Sequence, residues 1–200
     1  MPNPTISKAL EGWRTSSRSK LDELLKAHHE VGGGGRGRRY ATEQINHAYL
    51  VAVSAQFQKF CRDLHSEAAA FLVGDTRPES FRPALLKLLT DNRKLDRGNP
   101  NPGNIGADFG RFGLDFWAAV RALDRRNERR QDGLEQLNVW RNAIAHQDFT
   151  LKDSDAKKVE GTHPQLADVR TWRGFCESLS EAFDAVTAAH LRQVVGRDPW

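Results

Sequence analysis

Ile45, Tyr49, Val53, Phe57, Phe60, Leu64, Ala68 and Phe71 recur at steps of three and four residues, which places them on one face of a single long helix. The stripe covers about 30 residues, or roughly 45 Å at ~1.5 Å per residue, enough to run the length of a helical bundle. Thr42 reads as its N-cap with Glu43 in the first turn, and Gly74 and Pro78 as its end. Sustained apolar–polar alternation with β-branched residues, the mark of a strand, is almost absent from the chain.

Other helical stretches surround this one. Residues 6–30 carry Leu10, Trp13, Leu21, Leu24 and Leu25, and residues 81–92 carry Leu85, Leu86, Leu88 and Leu89. The pattern resumes at Leu114 with Phe116, Trp117, Val120 and Leu123. A further helix is expected from Leu134, after Gly133, through Leu137, Val139, Trp140 and Ile144. Pro164 is expected to open a last long helix bearing Leu166, Val169, Trp172, Cys176, Leu179, Phe183, Val186 and Val194. Two tracts break the pattern: the glycine–arginine run 32–39, and Arg97–Asn104, whose proline and glycine content predicts a loop. The glycine–arginine run reads first as a flexible linker and second as a basic loop that grips RNA. The fold class that follows is all-α, an up-and-down antiparallel bundle over 41–200 preceded by an N-terminal helical extension and linker over 1–40.

Composition narrows the setting. The 200 residues suit one domain with a real core, and the net charge of +4 permits an anionic partner without demanding one. Cys61 and Cys176 lack any ligand spacing and read as reduced core thiols. With no apolar run at the N-terminus and no membrane-length apolar stretch, a cytoplasmic protein is expected, with no membrane partner.

Chemistry concentrates in Arg141-Asn142-Ala143-Ile144-Ala145-His146. An arginine holds phosphate through two parallel hydrogen bonds, and a histidine moves protons near neutral pH. Asn138, Asn142 and His146 lie at i, i+4 and i+8, a polar stripe on a helix otherwise directed at the core, with Arg141 one position away. Such a stripe is costly unless a ligand, a partner subunit or an internal network satisfies it. In the internal alternative, His146 bonds within the bundle and Arg141 pairs an acid such as Asp148. Upstream, Arg121, Arg125, Arg126 and Arg129 form a basic run that reads either as a solvated face or as a phosphate-tracking patch beside the motif.

The segment Leu137–Phe149, LNVWRNAIAHQDF, resembles the signature helix of the HEPN superfamily, whose motif is an arginine, a polar residue, a few residues, then a histidine. The resemblance covers the architecture of roughly 42–195, but at the level of motif only Arg141, Asn142 and His146. It implies a homodimer in which two motifs meet in a shared cleft, and metal-independent cleavage of RNA, often in toxins or anti-phage effectors held by an antitoxin or defence partner. By position, Arg141 would bind the scissile phosphate, His146 would act as general acid/base, and Asn142 would orient the others. Two departures stand out. Asp148 occupies the place where some family toxins carry a modifiable tyrosine, and residues 1–40 match nothing in the family. A non-catalytic HEPN-like dimer that binds RNA, a nucleotide or a protein, and an unrelated helical scaffold, are the alternatives. No cofactor or metal ligand set is expected, since no carboxylate cluster has two-metal spacing and His28-His29-Glu30 lacks that of a zinc site.

Overall fold

The computed structural model describes residues 5–32, 40–159, 161 and 163–200, among which no strand forms. The chain begins with α1 (Lys8–Gly12), a π-helical turn (Trp13–Ser17) and α2 (Arg18–Gly32), which together make one rod. The second rod is α3 (Tyr40–Gly74). Four short helices follow: α4 (Arg82–Thr90), α5 (Lys94–Arg97), α6 (Pro102–Phe109) and α7 (Phe116–Leu123). The third rod is α8 (Arg126–His146), and after the single-turn α9 (Asp153–Ala156) comes the fourth, α10 (Leu166–Val195).

The periodic stripe of α3 is the centre of the core. Tyr49, Val53, Phe57, Phe60, Leu64 and Ala68 are all buried, and only its two ends, Ile45 and Phe71, are half-buried. Around it the aromatic rings interlock. Trp13 lies 5.7 Å from Phe57, Phe57 lies 5.7 Å from Phe183, and Phe116 lies 4.7 Å from Phe183. Close ring pairs of this kind add about 0.5–1.5 kcal/mol each beyond area burial.

Contacts between rods fix their directions. Lys8 N–H reaches the Glu67 carboxylate (3.0 Å) while the Ser17 hydroxyl donates to Gln56 (2.9 Å), so the first rod runs antiparallel to α3. Arg173 donates to the Tyr49 hydroxyl (3.1 Å) and Arg197 pairs with Asp75 (2.9 Å), so α10 runs parallel to α3. On α8 the order reverses: Gly133 lies under Phe175, whereas Gln136 accepts from the Trp172 indole (3.1 Å). The four rods therefore alternate in direction, the expected up-and-down bundle. No described helix is long and apolar enough to cross a membrane.

The N-terminal rod shares this core rather than standing beside it. Ala9, Leu10, Trp13 and Leu21 are buried. Ser7 caps α1 by accepting the Leu10 N–H (3.0 Å), and its own N–H donates to Asp184 (3.2 Å). Residues 33–39, read as a linker or basic loop, lie outside the described residues.

Several boundaries differ from the sequence reading. The motif helix starts at Arg126, not Leu134, because Gly133 sits within it as the point where the Phe175 ring approaches the backbone. The tract 97–104 is only partly loop, since Pro102 occupies the first turn of α6, where its missing N–H costs nothing, and Asn101 caps that helix by accepting the Asn104 N–H (2.8 Å). α10 begins after Pro164 at Leu166, with the Asp168 carboxylate accepting the Gln165 N–H (2.8 Å). Val194, near its end, is exposed, and no residue of α4 is fully buried.

Candidate functional site

Steps of four residues advance about 40° around a helix, so the polar stripe on α8 winds out of the core as it climbs. Asn138 is buried, whereas Asn142 and His146 are exposed. The Asn138 amide donates to the carbonyls of Leu134 (2.8 Å) and Pro100 (3.2 Å). One turn later the Asn142 side-chain oxygen accepts from the Asn99 amide and from Arg141 Nη1 (3.3 Å). The loop at 98–101 thus lies against the motif helix at two successive turns.

That loop is held from every side. The buried Asp108 carboxylate accepts the N–H groups of Lys94 and Leu95, each at 2.8 Å, which fixes the start of α5. Gln58 of α3 donates to the carbonyls of Leu95 (2.6 Å) and Gly98 (2.9 Å), and Asn104 donates to that of Asn99 (2.8 Å). Asn99 is therefore a fixed donor aimed at Asn142.

Neither half of the internal-network alternative is found. Arg141 is half-buried, and among the described residues no carboxylate lies within 4.0 Å of it. Most other guanidinium groups among the described residues lie within 4.0 Å of a carboxylate, as Arg14 does of Glu181 and Arg93 of Asp96. Asp148 turns its carboxylate back to the Thr150 N–H (2.9 Å) instead. His146 is the last residue of α8, and its imidazole makes no hydrogen bond among the described residues. The helix stops there because Gln147 adopts a left-handed conformation (φ +52°), and the N–H groups of Gln147 and Asp148 turn back to the carbonyls of Ile144 and Ala143. An unneutralised cation, a fixed amide pair and an open imidazole therefore share one end of one helix. A guanidinium can bind an anion and an imidazole can transfer a proton, although on this helix the two point to different sides.

The upstream arginines are not beside this set. Arg129 precedes Arg141 by twelve residues, roughly 18 Å along the axis at ~1.5 Å per residue. It lies over the Phe175 ring, lining a cavity of about 340 Å³ between α8 and α10. Arg126 is bonded to Asp124, which holds that carboxyl down to about 2, and Arg121 donates to Gln131 (3.0 Å). Arg125 stands exposed at the N-cap of α8.

A second constellation had no counterpart in the sequence reading. Glu43 and His47, one turn apart at the start of α3, meet His163 from the segment before α10. The spacing of the first two is a recognisable signal, but His163 is far off in sequence. Cys61 and Cys176 are buried free thiols, and burial raises both above the ordinary thiol range. No family model, curated protein or solved structure matches this chain.

Proposed function

We propose that the chain is a HEPN-type endoribonuclease that cleaves RNA without a metal, as a homodimer with a composite site, in the role of a toxin or anti-phage effector. The observation that carries this reading is Arg141: a half-buried residue with no carboxylate partner among the described residues, donating to Asn142 and five positions before an unengaged imidazole. An arginine not engaged by an internal carboxylate keeps its fork of donors available to an anion such as a phosphate.

In this reaction the 2′-hydroxyl oxygen attacks the adjacent phosphorus as its proton passes to one His146. The bond from phosphorus to the 5′ oxygen breaks, and that oxygen takes a proton from a second imidazole. Arg141 bears the charge that grows on the phosphoryl oxygens. Five residues separate Arg141 from His146, so the two point about 140° apart around α8. Two motifs facing each other across a dimer would bring one protomer's imidazole to the other's guanidinium, which favours the composite arrangement. Arg121, Arg125, Arg126 and Arg129 would meet flanking nucleotides rather than the scissile phosphate. The product would be a 2′,3′-cyclic phosphate, and DNA, lacking the 2′-hydroxyl, would be left intact. An antitoxin or another defence protein would be the controlling partner.

The test is incubation of the purified protein with total cellular RNA in excess EDTA, beside His146→Ala and Arg141→Ala variants matched for folding and dimerisation. Cleavage by the parent chain that both variants lose supports the proposal. Intact RNA from a well-folded dimer replaces it with a binding module, and cleavage of DNA at the same site overturns the mechanism.

A further inference from the structure

Glu43, His47 and His163 each offer a ligand atom, and these atoms all lie within 4.8 Å of one another. His163 Nδ1 is 4.0 Å from Glu43 Oε1. His47 is buried at 7 % exposure, and the Phe149 ring stacks on its imidazole at 5.5 Å between centroids. The same ring lies 5.1 Å from that of His163. Two of the ligands sit on adjacent turns of α3, whose rigidity fixes their separation, while the third, His163, lies outside the helices.

We propose that these three side chains bind a divalent transition metal of the zinc class, with a fourth position left to water. Two imidazoles and a carboxylate are a borderline donor set suited to zinc rather than to calcium or magnesium, which take mainly oxygen ligands. Around a tetrahedral ion with bonds of about 2.1 Å, ligand atoms are about 3.4 Å apart. Closing from the observed spacing needs movements of roughly 1 Å, within reach of the half-buried Glu43 and His163 side chains. Phe149 supplies an apolar wall that shields one side from water, which strengthens the ion's hold on its ligands. Bound metal would tie His163 to the first two turns of α3. That clamp closes over Phe149, three residues beyond His146.

This inference does not rest on the ribonuclease reading, and its test reads metal rather than cleavage. The full chain, stripped with a chelator and dialysed, is titrated with Co²⁺ as a spectroscopic probe and with Zn²⁺ in competition. Bound metal is counted by mass spectrometry. One equivalent is expected, with visible d–d absorption typical of a four-coordinate site that Zn²⁺ abolishes. His163→Gln, at a half-buried position outside the helices, should weaken binding by at least the 10- to 100-fold that loss of a mere supporting contact costs. His47→Gln should do the same, and His29→Gln at the end of α2 should leave binding unchanged. Absence of stoichiometric metal in the folded parent chain overturns the proposal. So does binding that survives His163→Gln or is lost in His29→Gln.

Discussion

Asn99 donates its side-chain amide to the oxygen of Asn142, the residue that also accepts from Arg141. A loop fixed by Gln58 and Asn104 thus reaches the candidate phosphate-binding arginine through one intermediary. Asn99 acts as a positioning residue, since it sets the acceptor on which the guanidinium rests. Asn99→Ala should lower the cleavage rate about 10-fold, in keeping with misplacement rather than loss of a reacting group. Substrate affinity and thermal midpoint should move little. Single-turnover kinetics beside a melting curve checks this, and an unchanged rate would remove Asn99 from the site.

Direct loss of a reacting group should cost more. His146→Ala should reduce the rate by about 10²–10⁴, the usual contribution of a positioned acid or base. Arg141→Lys keeps the charge but not the planar fork, so it should resemble Arg141→Ala more closely than the parent chain. Rates on one defined RNA, measured for dimers of equal stability, decide the matter.

Gly133 yields a stability prediction against propensity. Alanine is about 1 kcal/mol better than glycine inside a helix. Here a methyl group would overlap the Phe175 ring, 2.5 Å from Cε2. Gly133→Ala should therefore destabilise the fold by about 1–3 kcal/mol, as overpacking does. The double variant with Phe175→Leu should recover most of that in urea unfolding.

His65 makes stability depend on pH. It is fully buried, its Nε2 donates to the Asp108 carbonyl (3.0 Å), and the Arg93 guanidinium faces Nδ1 (3.5 Å). Burial above all, with the Arg93 charge beside it, lowers its pKa from 6.5 to about 4. In the unfolded chain the ring takes up its proton near 6.5, whereas in the fold it stays neutral until about pH 4. The stabilisation is therefore complete above pH 6.5 and lost as pH falls towards 4, up to roughly 3 kcal/mol. Unfolding free energies between pH 7.5 and 4.5 should decline less in His65→Gln than in the parent chain.

The long helix was legible because a 3.6-residue period is local information, and the stripe from Tyr49 to Ala68 is buried as that period requires. Boundaries set by distant groups were less so. Nothing near Gly133 announces that Phe175 will cover it, and the Asn101 cap that turns a proline-rich tract into α6 needed the loop geometry to be seen. At the candidate site, Arg141, Asn142 and His146 are named through the family resemblance, since their spacing alone is no rarer than chance. That Arg141 lacks an acid among the described residues, or that Asn99, 43 positions away, reaches Asn142, was not legible. The basic run could be found but not placed, because distance along a helix matters only once the helix is known to begin at Arg126.

The bond between the Ser7 N–H and Asp184 spans 177 residues. At a synthesis rate of about 5–20 residues per second, the two ends of that bond are made on the order of 10–35 s apart. The first rod can lie on α3 early, but it has nothing of α10 to meet until late. α8, with Arg141 and His146, is likewise made before the helix that packs along it. A nascent chain carries the motif and the Asn99 loop that meets it before α10 exists, so the motif helix waits on the last element to be made for one wall of its packing.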